Sequence, residues 1–144
     1  MSVCRALCPV LLAWTTSFVP LLEAQESLVF SVRLSTIPVE AATAEALTGF
    51  GSATASLDGD RLTVTGSFEG LQSPATSARL HIAPKGLRGP AMIGLDVTSG
   101  TSGKISGDLM LTPVQADRLR RGHVYLQLQG EEAPEGNLRG WLLP

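Results

Sequence analysis

From Ser27 onward, apolar and polar residues alternate in short segments, which glycine, proline, aspartate and serine separate. In the first segment Leu28, Phe30, Val32 and Leu34 alternate with mostly polar neighbours. A period of two places alternate side chains on one face of a strand, so this segment is predicted to be a half-buried β-strand. Because the pattern recurs along the chain, it favours an all-β fold over any other class.

The same pattern predicts seven further strands, over residues 52–57, 61–68, 76–82, 91–97, 104–111, 124–128 and 138–143. Asp58-Gly59-Asp60 predicts a tight hairpin between the strands over 52–57 and 61–68, because Asp-Gly tolerates the positive φ values of such turns. The strand over 104–111 is the predicted partner of the strand over 91–97. Residues 36–49 are predicted to be a loop or an irregular edge, and Pro38 favours extended structure there over a short helix.

One short helix is predicted over residues 113–121. Thr112 can cap it, Pro113 suits its first position, and Gln115 completes a capping box. Gly122 is predicted to end it. Eight short strands and one helix predict an antiparallel β-sandwich, and the lack of strand–helix–strand alternation argues against a nucleotide-binding α/β fold.

Residues 1–24 have the order of a secretory signal peptide. Arg5 precedes an uncharged, largely apolar stretch over 6–22, and a plausible cleavage lies before Gln25. The alternative is an uncleaved anchor helix. That stretch is marginal for spanning ~30 Å, and Pro9 and Pro20 interrupt it.

Cleavage would leave one domain, residues 25–144, with no membrane span. It would also remove both cysteines, Cys4 and Cys8, so the mature domain would be cysteine-free, without disulfide or thiol chemistry. A domain of about 120 residues can fold without such a staple. The formal net charge of −2 argues against a nucleic-acid binder, because such modules usually carry a basic excess.

Four segments occur in a characteristic order and spacing: Leu57–Val64 with Gly70-Leu71, Ala78–Gly86 with Gly89-Pro90, Ser106–Gly122, and Tyr125–Gln129 with Pro134–Gly140. Together they resemble the chordin-type (CHRD) domain family. The resemblance implies an immunoglobulin-like or superoxide-dismutase-like β-sandwich in a secreted or periplasmic protein. It implies a stand-alone binding or structural module with no established activity. Growth-factor antagonism is not implied, because chordin's cysteine-rich modules are absent.

Members of that family often carry two histidines on alternate residues of one strand and a third in a closing strand, a set that could hold a metal. In this chain Arg79 stands at the first position, His81 keeps the second, and Gln129 replaces the third. A permanently cationic arginine would repel a metal, and one histidine is too few ligands. No metal or cofactor is therefore predicted. His81 remains a weak candidate, and a degenerate copper or zinc site is the first alternative function.

Arg79 and His81 share one face of a predicted strand. A carboxylate from Glu131, Glu132 or Glu135 would complete a polar cluster. Such a cluster is either an anion- or partner-binding site or a cross-strand salt bridge, and we favour the salt bridge because charged pairs are common on sheets. The candidate binding residues, for an unknown protein or glycan partner, are Arg79, His81, Gln129 and Arg139.

The densest basic group comprises Arg118, Arg120 and Arg121, together with Arg139. A patch for acidic glycans or anionic lipid is one interpretation. The other is that the first three stabilise the helix end, where the helix dipole favours cations. The family resemblance implies a structural role for Arg139, paired within the sheet.

Catalysis has little support in the sequence. Asp58 and Asp60 suit turn geometry better than acid–base work. His123 is predicted to be exposed and Trp141 to be a core or edge anchor. No serine–histidine–aspartate motif is recognisable, so a non-enzymatic protein is predicted, with a superoxide-dismutase-like enzyme as the last alternative.

Overall fold

Eight antiparallel strands and one helix form within the residues that the computed structural model describes, which are 26–37, 40–42 and 44–144. The predicted signal peptide, with Cys4 and Cys8, lies outside the described residues, as does Pro38. The strands are β1 Leu28–Thr36, β2 Phe50–Asp58, β3 Arg61–Glu69, β4 Ala75–Ile82, β5 Ala91–Val97, β6 Gly103–Met110, β7 Val124–Gly130 and β8 Ala133–Trp141. The helix is α1 Pro113–Arg120, between β6 and β7.

The predicted hairpin and helix start are confirmed. β2 and β3 pair from Phe50↔Glu69 to Asp58↔Arg61, and Gly59 takes φ +60° in the turn between them. Thr112 accepts a hydrogen bond from the Gln115 backbone, and the Gln115 side chain bonds back to the Thr112 N–H, so the capping box forms in full.

The last strand begins earlier than the sequence predicts, at Ala133 and not at residue 138. Glu131 and Glu132 form a turn, after which Ala133 pairs with Gly130. Proline and glycine make this stretch look like a loop, but Pro134 is exposed and Gly136 is accommodated within the strand.

The strands close into a barrel in the order β1-β2-β3-β6-β5-β4-β7-β8, with β8 returning to β1. The predicted all-β antiparallel class is therefore confirmed. The strands, however, close into a barrel and do not form the predicted sandwich of two open-edged sheets. Two short seams make the closure: β1 meets β8 over two residue pairs, and β5 meets β6 over two. The predicted β5–β6 partnership is limited to that seam, because β5 pairs mainly with β4. Closure is favourable because it pairs strand edges that a sandwich would leave open.

The interior of the barrel is apolar. Phe30, Val32 and Leu34 of β1 are buried as the alternation predicts, whereas Leu28 at the strand start is 42% exposed. Helix α1 adds its buried side to the same core through Ala116 and Leu119.

Candidate functional site

Strand β7 is buried on both faces, which is unusual for a barrel strand whose outer face meets solvent. Val124, Leu126 and Leu128 belong to the core, so the alternating Tyr125 and Gln127 point outward. Yet Tyr125 is only 1% exposed and Gln127 only 5%. Other parts of the chain therefore cover the outside of this strand, and they create a second packed layer there.

The layer consists of five residues, here called the outer cluster: His81, Tyr125, Gln127, Arg139 and Trp141. They are cross-strand neighbours, because His81 and Trp141 flank Tyr125 in the register while Arg139 pairs with Gln127. The His81 ring stacks on Tyr125 with centroids 4.8 Å apart and planes 10° apart, and Trp141 tilts against Tyr125 at 5.1 Å. The Arg139 guanidinium carbon lies 4.9 Å from the Tyr125 ring centroid, a cation–π contact.

Hydrogen bonds tie the loop after β4 onto this cluster. The Tyr125 hydroxyl accepts from the Gly89 N–H at 3.1 Å and donates to the Gly89 carbonyl at 3.2 Å. His81 Nδ1 lies 3.0 Å from the same carbonyl, so Nδ1 carries the proton in this contact. The indole N–H of Trp141 donates to the Ala83 carbonyl at 3.2 Å. Residues 83–90 are thereby anchored over the barrel wall.

A second set of bonds fixes the arginine. Arg139 donates from Nε (3.1 Å) and Nη2 (2.7 Å) to Gln127 Oε1. Gln127 Nε2 in turn donates to the Glu135 carbonyl at 3.0 Å. Gly136 permits this approach: its φ is +122°, and a Cβ there would lie 2.7 Å from Gln127 Nε2.

An open cleft of about 210 Å³, here called the arginine cleft, lies over the cluster. Its lining residues are His81, Arg88, Gly89, Tyr125, Gln127, Gln129, Pro134, Glu135 and Arg139. Burial is the main cause that lowers the pKa of Arg139; the charge of Arg88 adds to the effect and Tyr125 opposes it. Arginine nevertheless stays cationic in proteins. The cleft therefore contains two positive charges that act on each other.

Neither arginine of the cleft has an ion-pair partner in the described part of the chain. The salt bridges there are Arg61–Asp108 and Arg121–Asp117, the latter at 2.9 Å. Glu135 lines the cleft, but its carboxylate is not within 4.0 Å of either guanidinium.

The structure brings three of the four sequence-predicted binding residues to this cleft: His81, Gln129 and Arg139. Arg79 lies in register beside Gln127, but it is exposed and does not line the cleft. The favoured salt bridge to Glu131, Glu132 or Glu135 is not formed among the described residues. Gln129 accepts a hydrogen bond from the Ser77 hydroxyl.

Sequence reasoning missed Arg88, Tyr125 and Gln127 as members of the site. The sequence of β7 does carry a signal for a site, because an aromatic residue and glutamines alternate there with the core residues and therefore share the outer face. Nothing in the alternation indicates that a distant loop covers that face.

The helix-end arginines lie apart from the arginine cleft. Arg121 pairs with Asp117, and Arg120 contacts the Gly59 carbonyl at 3.5 Å. His123 is half-buried, so the prediction that it is exposed is wrong. Its Nδ1 is enclosed and has no hydrogen bond to any residue that the structure describes. The chain bends at Gly122 and draws His123 against the barrel, where its N–H bonds to the Arg118 carbonyl.

One atom of the cluster lacks a partner. His81 Nε2 is buried and has no hydrogen bond within the described residues. A lone pair in that position, with Nδ1 bonded to a carbonyl, suits a metal ligand. However, no group of three His, Cys, Asp or Glu residues that could hold a metal occurs in residues 26–37, 40–42 and 44–144.

The part of the chain that the structure describes contains no helix long and apolar enough to cross a membrane.

The fold and the cluster together define a small all-β module with a polar, covered site on its outer wall. The family model of the CHRD domain matches residues 25–142, and the chain belongs to the CHRD domain family. The family predicted from the four sequence segments is thus confirmed. Domains of this family occur in extracellular or secreted proteins and are generally non-enzymatic. Searches among curated proteins and among solved structures gave no significant match.

Proposed function

We propose that the protein is a secreted, non-catalytic binding module and that the arginine cleft is the centre of its binding surface. The single observation that carries the proposal is the outer cluster. The barrel has an apolar core of its own, so a second, polar layer on the outside is not needed to fill it.

The cost of this layer supports a role beyond packing. A half-buried guanidinium loses hydration, and an isolated buried charge is unfavourable unless something compensates for it. Gln127 compensates in part, as a neutral acceptor. A carboxylate at ion-pair distance would compensate better, yet no described carboxylate, Glu135 of the cleft lining included, lies within 4.0 Å of the Arg139 guanidinium. An unpaired cation in an open cleft suits a surface whose remaining partner comes from another molecule.

Site-specific photocrosslinking tests the proposal. A photoreactive phenylalanine analogue is placed at Arg79, exposed beside the cluster, or at Thr65, exposed on the opposite wall. We expect discrete crosslinked products in native surroundings from position 79 only, and we expect Arg139→Gln to reduce them. Equal products from both positions, or products insensitive to that substitution, would contradict the proposal.

The metal alternative has one specific observation in its favour, the unpartnered Nε2 of His81. Calorimetric titration of the purified protein with copper or zinc tests it, with His81→Ala as the control. Tight stoichiometric binding that the substitution abolishes would favour metal handling over our proposal. Turnover in dismutase or hydrolase assays would favour an enzyme.

The proposed location rests on the signal-like residues 1–24 together with the family. We propose cleavage before Gln25 and release of residues 25–144 into the extracellular space or the periplasm. Amino-terminal sequencing of the exported protein tests both points, and a product that retains Met1 or Arg5 would favour a retained anchor.

A further inference from the structure

We infer that the arginine cleft binds a hydroxylated carboxylate, such as the uronic acid unit of an acidic sugar, with the carboxylate held between Arg88 and Arg139. This inference rests on the proposed function and specifies the chemistry of its ligand. It depends on the unused hydrogen-bonding capacity of the residues that line the cleft.

Arg139 is fixed in position and still has donors to offer. Its guanidinium carries five N–H groups, and two of them are used on Gln127 Oε1. The hydrogens of Nη1 and the second hydrogen of Nη2 remain. One N–H from Nη1 and one from Nη2 point in parallel, so together they can donate to the two oxygens of a carboxylate. Because Gln127 holds the guanidinium, little side-chain entropy is left to lose on binding.

Arg88 supplies the second charge from the loop that Gly89 anchors. Its side chain is exposed and forms no salt bridge within the described residues. It lies close enough to Arg139 for its charge to disfavour protonation there. An anion placed between the two cations would remove this repulsion, so each arginine strengthens the case for a ligand at the other.

The remaining lining groups distinguish a hydroxylated acid from a simple inorganic anion. The Oε1 atom of Gln129 is used by Ser77, which leaves its amide N–H groups as donors. The Glu135 carboxylate, in contrast, can only accept. Its charge would repel doubly charged sulfate more strongly than a singly charged sugar acid, and it would accept a hydrogen bond from a hydroxyl of that acid.

The test is an amide-resolved NMR titration of the full secreted protein with glucuronate. Glucose, which has a hydroxymethyl group where glucuronate has its carboxylate, serves as the neutral control of similar size, and sulfate as the anion without carbon-bound hydroxyls. We expect saturable shifts from glucuronate at the amides of His81, Gly89, Gln127 and Gln129, weaker shifts from sulfate, and none from glucose.

Two variants make the test specific. Arg139→Gln removes charge-assisted hydrogen bonds to the carboxylate, so we expect affinity for glucuronate to fall about tenfold or more. Arg88→Gln alters an exposed loop residue without a bond to lose, so it keeps the fold even if Arg139→Gln does not. We expect a loss of up to about fivefold at low salt from this variant.

A third variant and a control complete the design. Glu135→Gln should strengthen sulfate binding, because it removes the repelling charge. Arg118→Gln makes the same charge change on the exposed helix and should leave glucuronate binding unchanged.

Equal binding of glucose and glucuronate, or unchanged affinity in both arginine variants, would overturn the inference. Sulfate binding as tight as glucuronate binding would overturn the hydroxyl-acid specificity. If glucuronate fails while position 79 still gives specific crosslinks, the inference fails and the binding-module proposal stands. If glucuronate binds while the crosslinks fail, the cleft binds a hydroxylated acid, and what fails is the proposal that the cleft is the centre of a larger surface for a native partner.

Discussion

Replacing Tyr125 by phenylalanine tests whether the outer cluster holds the loop over residues 83–90. The substitution keeps the buried ring and its packing, and it vacates only the volume of the hydroxyl oxygen. The Gly89 carbonyl retains His81 as a partner, whereas the Gly89 N–H loses the acceptor at 3.1 Å. The substitution therefore removes two hydrogen bonds and leaves one donor, the Gly89 N–H, unsatisfied.

The size of that cost can be worked from these contacts. A buried unsatisfied donor costs about 1–3 kcal/mol, and Gly89 is half-buried, so the lower part of the range applies. We expect a loss of about 1–2 kcal/mol in the free energy of unfolding. For a domain of this size it corresponds to a fall of about 3–8 °C in Tm.

Urea unfolding gives the free energy, and hydrogen exchange at the Gly89 amide gives the local effect. We expect a lower midpoint with an unchanged slope, together with faster exchange at Gly89. Thr65→Val, which removes an exposed hydroxyl on the opposite wall, is the control. Unchanged exchange at Gly89 in Tyr125→Phe would refute the account of how the loop is held.

Three further predictions concern the frame around the site. Gly140→Ala should destabilise the barrel, because the new Cβ would lie 2.4 Å from a β1 carbonyl oxygen. We expect a loss of more than about 2 kcal/mol in the free energy of unfolding, similar to overpacking in a core, and thermal unfolding measures this loss. Thr112→Ala should cost about 1 kcal/mol, since Gln115 N loses its acceptor, and urea unfolding measures it. Asp108→Asn should destabilise slightly at neutral pH. The bond and charge of Arg61 lower the pKa of Asp108, so this contribution exists above the unfolded pKa and disappears as pH falls through the folded one. The unfolding midpoints of variant and parent should therefore converge as the pH falls below the ordinary range of an aspartate carboxyl.

Local features of the fold could be predicted from the sequence because local physics determines them. The Asp58-Gly59 turn needs only a positive φ, and the capping box at Thr112 needs only residues three apart. Closure of the barrel was not predictable in this way. It depends on two seams of two residue pairs each. The alternation of apolar and polar residues in the sequence does not show which strands form such short ladders.

The site was predictable only in part, for a related reason. His81, Gln129 and Arg139 stood out by residue type and by family resemblance. Arg88 and Tyr125 join them through the fold of a distant loop: Tyr125 and Gly89 lie 36 positions apart along the chain. The two-residue period of a strand predicts which face of the sheet a residue occupies, but it does not predict which other segment covers that face.

The seam between β1 and β8 has a consequence for how the chain folds. Ser35 and Arg139, which pair there, are separated by almost the whole domain. Because β1 is synthesised before β8, the edge of β1 that faces β8 stays unpaired until the last strand is available. Non-local pairing of this kind slows folding and exposes a strand edge while it waits. The chain is therefore most exposed to incorrect strand pairing in the interval before β8 joins β1, and a chaperone that shields the free β1 edge would have its largest effect then.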